Sequence, residues 1–516
     1  MPNQQTEHLF QLIKSLTKSE KRSFKLYAQR TSNKEGMKFI QLFDVLDKSD
    51  HYDEKVILEK TNIKKAQLSN LKAHLYKQLL TSLKLNSAAR NIDMQIREQI
   101  DFAQVLYLKG LYKQSLKILD KTRQMADTYE RFTLKLEVIE FEKIIEQQYI
   151  TRSLRNRAEE LTSEAGSTRN KIAHLHQLSN LSLTLYGIYI KAGHVRNIDD
   201  YKRVKSFFFT RLPELDPEKL SGTEKLYWYI CHVWYSFIIQ DFVKCYRYAQ
   251  KWIELFHEHP NLLDREPEWY LKGIHYFSET VFLLGRQDQM QYALDSLLQF
   301  EERYAGKMNE NLEILGFLYE YTLRLNMHFA EGTFTEGTSL APKIEERIAQ
   351  YAEKLDNHRI LVFYYKIACM YFGAGDNSKC IFYLNKIISY RDTRLREDIH
   401  CFARILSLVA HFEMGNDDLV EYQVKSVYRF LGKMNDQNAV QEEIFKFLRK
   451  LGKISNQEEL KVQFVSLREK LIELREDPYE RRPFNYLDLI SWLECKITNT
   501  PIQEVIKEKY TSHKER

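Results

Sequence analysis

Proline is absent from residues 3 to 212 and again from residues 343 to 477. A proline inside a helix removes a backbone donor and collides with the preceding turn. Two stretches of that length without one are free to be helical throughout. Glycine is equally scarce: 17 Gly and 9 Pro make 26 of 516 residues, about 5%, against roughly 12% in average usage. A β-sandwich or barrel needs such residues at its many turns, and a doubly wound α/β fold needs glycine-rich crossovers. Neither fits. Disorder and collagen-like structure do not fit a chain that is 44% hydrophobic and 13% aromatic. The expectation is an all-α protein, too long for one compact core and so multidomain or an extended array.

The surviving prolines sit in polar connectors such as PELDPEK (213–219) and HPNLLDREPE (259–268), which read as helix–helix loops. The surviving glycines carry a register. YLKG (107–110), FLLG (282–285), FAEG (329–332), FGAG (372–375) and FEMG (412–415) each place an aromatic residue three before a glycine. FIIQ (237–240) fits with Gln240 in the glycine place, and IKAG (190–193) with Ile190 in the aromatic place. The turn positions 110, 193, 240, 285, 332, 375 and 415 lie 83, 47, 45, 47, 43 and 40 residues apart. The first interval is about twice the others, so a further turn is expected near residues 148–153. A repeat of 40–47 residues holding two helices is the pattern of an α-solenoid. Glycine just past a helix end can take the left-handed conformation that stops the helix. The aromatic series Tyr107, Phe237, Phe282, Phe329, Phe372 and Phe412 then reads as inter-helix core, with a ligand-facing stripe as the alternative. FAEGTFTEGTSLAP (329–342), the one Gly/Thr-rich stretch, reads as a long flexible loop.

Two units carry a resemblance to a known family. In FAQVLYLKGLYKQSLKIL the small residue is Ala103, the turn Gly110, and the second-helix packers Ser115 and Leu119. In KIACMYFGAGDNSKCIFYLNKI the matching positions are Ala368, Tyr371, Gly375, Cys380 and Leu384. Residues 95–455 resemble the tetratricopeptide-repeat family, with longer repeats and mostly without its Trp and Pro positions. The resemblance implies stacked helical hairpins in a right-handed superhelix of seven or eight units. It also implies a concave surface lined by first helices, where Tyr227, Trp234, Tyr235, Trp269, Tyr270, Tyr276 and Tyr365 are candidates to clamp a peptide.

Residues 1–90 differ. They contain 17 Lys/Arg and 9 Asp/Glu, a net of +8, whereas the whole chain carries +6, leaving 6 − 8 = −2 for the rest. Thr17 with Glu20 makes a capping box. In the stretch 53–85, a helix, a short turn at Thr61-Asn62 and a longer helix starting near Lys64 look like a helix-turn-helix, with Val56, Leu58, Ile63, Leu68, Leu71 and Leu75 as its core. Lys64, Lys65, Gln67, Asn70 and Lys72, at the start of the second helix, would meet phosphates and base edges of DNA. The alternative is a helical cap whose lysines are only solvated. Residues 456–516 read as a terminal cap on the array. The expected domains are therefore 1–90, 91–455 and 456–516.

Recognisable chemistry is missing. GAGDNSK (373–379) lacks phosphate-loop spacing, and neither GxSxG nor HExxH occurs. His174/His176 and His257/His259 are i,i+2 pairs that diverge on a helix, and acidic pairs read as solvated faces. The six cysteines form no CxxC and read as reduced, buried hydrophobes. No run reaches the roughly 18 apolar residues of a membrane span, and the N-terminus lacks signal-peptide layout. The expectation is a cytoplasmic, non-enzymatic protein without metal or cofactor. It would bind a protein or peptide; the other reading is a transcriptional regulator, similar in layout to bacterial peptide-sensing regulators. Its oligomeric state is left open.

Overall fold

The computed structural model describes residues 4–31, 36–87, 91–148, 156–286, 288–306, 308–391, 396–433, 438–451 and 456–514. Among these every regular element is helical. The chain forms two compact units, Met1–Arg169 and Asn170–Arg516.

The first unit holds α1 (Gln4–Ser15), α2 (Lys18–Thr31), α3 (Gly36–Lys48), α4 (Glu54–Lys60), α5 (Lys65–Ser87), α6 (Ile92–Leu108), α7 (Tyr112–Thr128), α8 (Phe132–Gln148) and the start of α9 (Arg157–Ala192). Helix α2 begins at the expected capping box: the Thr17 amide donates to Glu20 (2.8 Å) and the Glu20 amide to the Thr17 hydroxyl (3.2 Å). Helices α1 to α5 close a core of their own around Leu9, Ile13, Phe24, Phe43, Leu75 and Leu79. Ile63 and Leu68 lie in it as expected. Ile57 is the buried residue of α4, while Val56, Leu58 and Leu71 are half-buried. The compact division at Arg169 falls inside the stretch read as one repeat array.

The second unit continues with α10 (Ile198–Arg211), α11 (Gly222–Ile238), α12 (Phe242–Glu258), α13 (Pro260–Arg265), α14 (Pro267–Leu283), α15 (Asp288–Arg303), α16 (Glu310–Glu331), α17 (Phe334–Gly337) and α18 (Leu340–Gln350). It ends with α19 (Asn357–Gly373), α20 (Asn377–Ile388), α21 (Glu397–Glu413), α22 (Asp417–Lys433), α23 (Ala439–Leu451), α24 (Gln457–Glu476), α25 (Leu489–Thr498) and α26 (Ile502–Lys514). These helices pack in neighbouring pairs, α11 on α12, α14 on α15, α19 on α20 and α21 on α22. Successive first helices also touch, α14 on α16, α16 on α19 and α19 on α21.

All seven turn positions have left-handed backbone: Gly110 (φ 73°), Gly193 (67°), Gln240 (60°), Gly285 (67°), Gly332 (70°), Gly375 (82°) and Gly415 (70°). Gln240 adopts the glycine conformation despite its side chain. The eighth turn, expected near residues 148–153, falls mostly outside the described residues. At two of these turns a residue of the first helix meets one twelve positions later. The Ser115 hydroxyl donates to the Ala103 carbonyl at 2.8 Å, and the Cys245 thiol points to the Val233 carbonyl at 3.6 Å. Ala103, Ala368, Cys380 and Leu384 have no exposed surface. Phe237 and Phe372 are buried, and Phe282, Phe329 and Phe412 pack against the same core. The six cysteines form no disulfide, and Cys231, Cys245, Cys380 and Cys401 are buried.

The stretch 329–342 is not a flexible loop. It contains α17 and the start of α18, with Phe334 buried and its ring pressed onto Gly373 of α19. Its glycines serve close packing: a Cβ on Gly332 would lie 2.7 Å from the Gln503 carbonyl and 2.9 Å from the Lys507 amide of α26. Gly285 has the same backbone conformation but open space around it. Gly285→Ala should therefore cost only the left-handed penalty, about 1 kcal/mol. Gly332→Ala should cost about 1–3 kcal/mol more, because α26 must shift. Urea titration of the two variants checks the difference.

Candidate functional site

The seven aromatic candidates separate into two groups. Trp234, Tyr235, Tyr270, Tyr276 and Tyr365 are buried, Trp234 to 2% of its surface, which leaves them little to offer a ligand. Their rings join neighbouring hairpins instead. Trp234 on α11 lies 5.4 Å from Tyr189 on α9 and 4.9 Å from Tyr276 on α14. Tyr235 stacks on Phe208 of α10 at 4.1 Å. Tyr270 packs between Phe256 and Phe300 and meets His257 Nε2 at 3.2 Å. Tyr227 and Trp269 are half-buried and meet edge to face at 5.8 Å.

Polar groups on the first helices were not singled out from the sequence, and here they converge. Lys366 of α19 donates to the Asn326 carbonyl of α16 (2.6 Å), whose amide donates to Glu279 of α14 (2.7 Å). Lys366, Asn326 and Glu279 lie 40 and 47 residues apart, so the chain of bonds follows the repeat register. Burial works against the Glu279 charge, yet Lys366 and His275 hold its pKa below the usual carboxylate value. Two turns before Glu279, Lys272 sits over the rings of Trp269 (4.9 Å) and Tyr186 (5.5 Å). Burial, with Arg359 nearby, lowers its pKa to about 8. His275 stacks on Tyr319 at 4.5 Å, and burial lowers its pKa to about 4.

A second element on these helices is the C-terminal segment. Between α24 and α25 the chain runs through residues 477–488 with one short 3-10 turn, Arg482–Asn485. Arg481 donates to the Gln240 carbonyl at the α11–α12 turn (2.8 Å). The Tyr486 ring stacks on Phe402 of α21 (4.5 Å, 9°), its hydroxyl donates to Asp398 (2.6 Å), and its carbonyl accepts from Tyr365 of α19 (3.2 Å). Arg396 holds Asp398 along one guanidinium edge, Nε donating to one carboxylate oxygen (2.8 Å) and Nη2 to the other (2.7 Å). Beyond the segment, Trp492 of α25 donates to Glu413 of α21 (2.7 Å), and Thr335 donates to Gln503 of α26 (3.0 Å). Nothing local in the sequence marks these pairings, which join residues as far apart as 240 and 481.

In the first unit, the start of α5 faces outward. Lys64, Lys65, Gln67 and Asn70 are exposed, while Ile63, Leu68 and Leu75 are buried. Gln67 accepts from Lys38 (3.3 Å). Lys72 is half-buried, 3.3 Å from the Tyr52 hydroxyl and above its ring (5.3 Å). Burial lowers the Lys72 pKa.

The histidine pairs serve separate neighbours, His174 meeting Glu224 at 2.8 Å and His257 meeting Tyr270. Among the described residues no helix is long and apolar enough to cross a membrane. No protein-family model matches the chain, and no curated protein matches it.

Titration of the buried histidines gives a pH dependence. His232, stacked on Tyr248 at 4.3 Å, and His275 both have pKa values lowered to about 4 by burial. Between pH 4 and about 6.5 the unfolded chain binds protons that the folded chain refuses, so stability falls as the pH drops through this window. The melting temperature should decrease steadily from pH 6.5 to 4. His275→Phe, which keeps the stack on Tyr319, should recover as much as about 3 kcal/mol at the acid end. Thermal melts of both proteins across that range check it.

Proposed function

We propose that the protein is a non-enzymatic scaffold that binds a protein or peptide segment on the concave face of its helical array. Its repeat array resembles the tetratricopeptide family and would wind as a right-handed superhelix with the first helices on its concave face. The observation that carries this reading is the seating of residues 477–488 on α19, α21 and the α11–α12 turn. A surface that seats a short turn-rich segment of its own chain offers an aromatic slot and a backbone acceptor of the kind a foreign segment would use. Lys272, Glu279 and Lys366, each half-buried, add charge. The protein would work in the cytoplasm, without cofactor or metal.

In-cell photo-crosslinking from position 269, with capture from the organism's own extract, tests the reading. The expected result is a discrete partner protein whose cross-link is lost on Lys366→Ala or Lys272→Glu. Cross-links that are absent or insensitive to both changes count against it.

A second reading, DNA binding through the start of α5, is favoured by the exposure of Lys64, Lys65, Gln67 and Asn70 around the buried Leu68 that anchors this turn to the core. With the full chain and random duplex DNA, Lys64→Ala with Lys65→Ala should weaken binding and lower the log–log salt slope by about two. Affinity that does not fall with salt would sink this reading.

A further inference from the structure

Residues 481–486 pack Phe484 and Tyr486 against the apolar core and make polar contacts with the helices at two places. The Arg481 guanidinium takes the carbonyl of Gln240, a non-glycine residue held at φ 60°. The Tyr486 hydroxyl takes Asp398, which is clamped by Arg396, a non-glycine residue held at φ 57°. Only one other described non-glycine residue of this unit, Asn499, has positive φ. Gln240 holds that conformation as the turn residue between α11 and α12, and Arg396 holds it at the start of α21, so each contact falls at a helix end. The Tyr486 slot is built from three sides: a ring face from Phe402, a carboxylate from Asp398, and a hydroxyl from Tyr365 on the backbone carbonyl. Arg396 and Asp398 are buried, and their pairing keeps the carboxylate oriented.

The Arg481 end is less complete. Its Nε is buried without a hydrogen-bond partner, although the guanidinium edge reaches Gln240. A buried donor left unpaired is a cost that a better-fitting arginine would avoid. The segment stays seated because it is tethered on both sides by α24 and α25, which keeps its local concentration high. The residues of the two anchors are five apart, and the chain between them is short and irregular.

We infer that residues 481–486 are a resident stand-in for the partner segment, and that the surface selects a short turn-forming segment carrying Arg and, five residues later, Tyr, as the resident 3-10 turn does. The arginine donates to the Gln240 carbonyl, and the tyrosine enters the slot of Phe402, Asp398 and Tyr365. A partner with this pair displaces the resident segment, which lifts as a loop while α25 stays docked through Trp492 and Glu413. This specificity rests on the scaffold reading but is tested apart from it.

The probe is a fluorescein-labelled peptide copying residues 477–488, DPYERRPFNYLD, measured by anisotropy against the full-length protein. Loosening the resident copy with Arg481→Ala and Tyr486→Phe frees the competent state, so the peptide should bind this variant about tenfold or more tightly than the unaltered protein. A peptide with Ala in place of both Arg481 and Tyr486 should lose that gain, and so should the variant that also carries Asp398→Asn. Equal binding to variant and unaltered protein, or equal binding of the substituted peptide, overturns the inference. If the variant does not fold, hydrogen exchange of the unaltered protein decides. Excess peptide should speed exchange at the amides of 479–487 relative to α24, and unchanged exchange overturns the inference. A displacing peptide without any cross-linked partner leaves the inference standing and the scaffold reading failed. A cross-linked partner that the peptide does not displace does the reverse.

Discussion

The left-handed turn between paired helices is the constraint on which the rest depends. One residue at φ near 60–80° ends a first helix and reverses the chain within three residues. That brings position i against position i+12, as in Ala103 with Ser115 and Val233 with Cys245. Only a small or well-fitted side chain is tolerated there, since both helix backbones approach closely. A hairpin so made still has an uncovered apolar face, and its neighbours cover it. The aromatic contacts from Tyr189 to Trp234 to Tyr276 and the polar chain from Lys366 to Asn326 to Glu279 both run along the same register.

That register explains why the strongest peptide-clamp candidates belong to the core. Large aromatics on successive first helices recur at the repeat period because they fill the gap between hairpins. Trp234 and Tyr276 have their neighbours' rings at 4.9 Å and are spent on packing. The residues with chemistry left over are smaller in number and polar: Lys272 over two rings, His275 on Tyr319, and the Arg396–Asp398 pair under Tyr486. Their depressed or pinned ionisation follows from being surrounded by helices while still facing one another.

Much of the hairpin pattern was legible in the chain. All seven turn positions were readable from the aromatic-to-glycine spacing, including Gln240, whose place in the period outweighs its side chain. The Thr17–Glu20 cap and the apolar positions Ile63, Leu68 and Leu75 were readable from local spacing too. The stretch 329–342 was misread because glycine and threonine density mimics a loop. There the glycines let α17 press against α19 and let the backbone of α26 lie where a Cβ on Gly332 would come within 2.7 Å of it. Composition cannot separate a glycine kept for freedom from one kept for contact.

What the sequence by itself determined is what acts over one to two helical turns: helix content, the sites of reversal, caps, and core positions of α5. Those depend on residues within about twelve positions of each other, where spacing is a direct record of geometry. Only the tertiary structure decided which aromatics were spent on packing, which polar groups met, and where the C-terminal segment lies. The contact of Arg481 with Gln240 or of Tyr486 with Asp398 joins residues 241 and 88 positions apart. Such pairings depend on how the small offsets between successive hairpins accumulate, and no local pattern of residues records that sum.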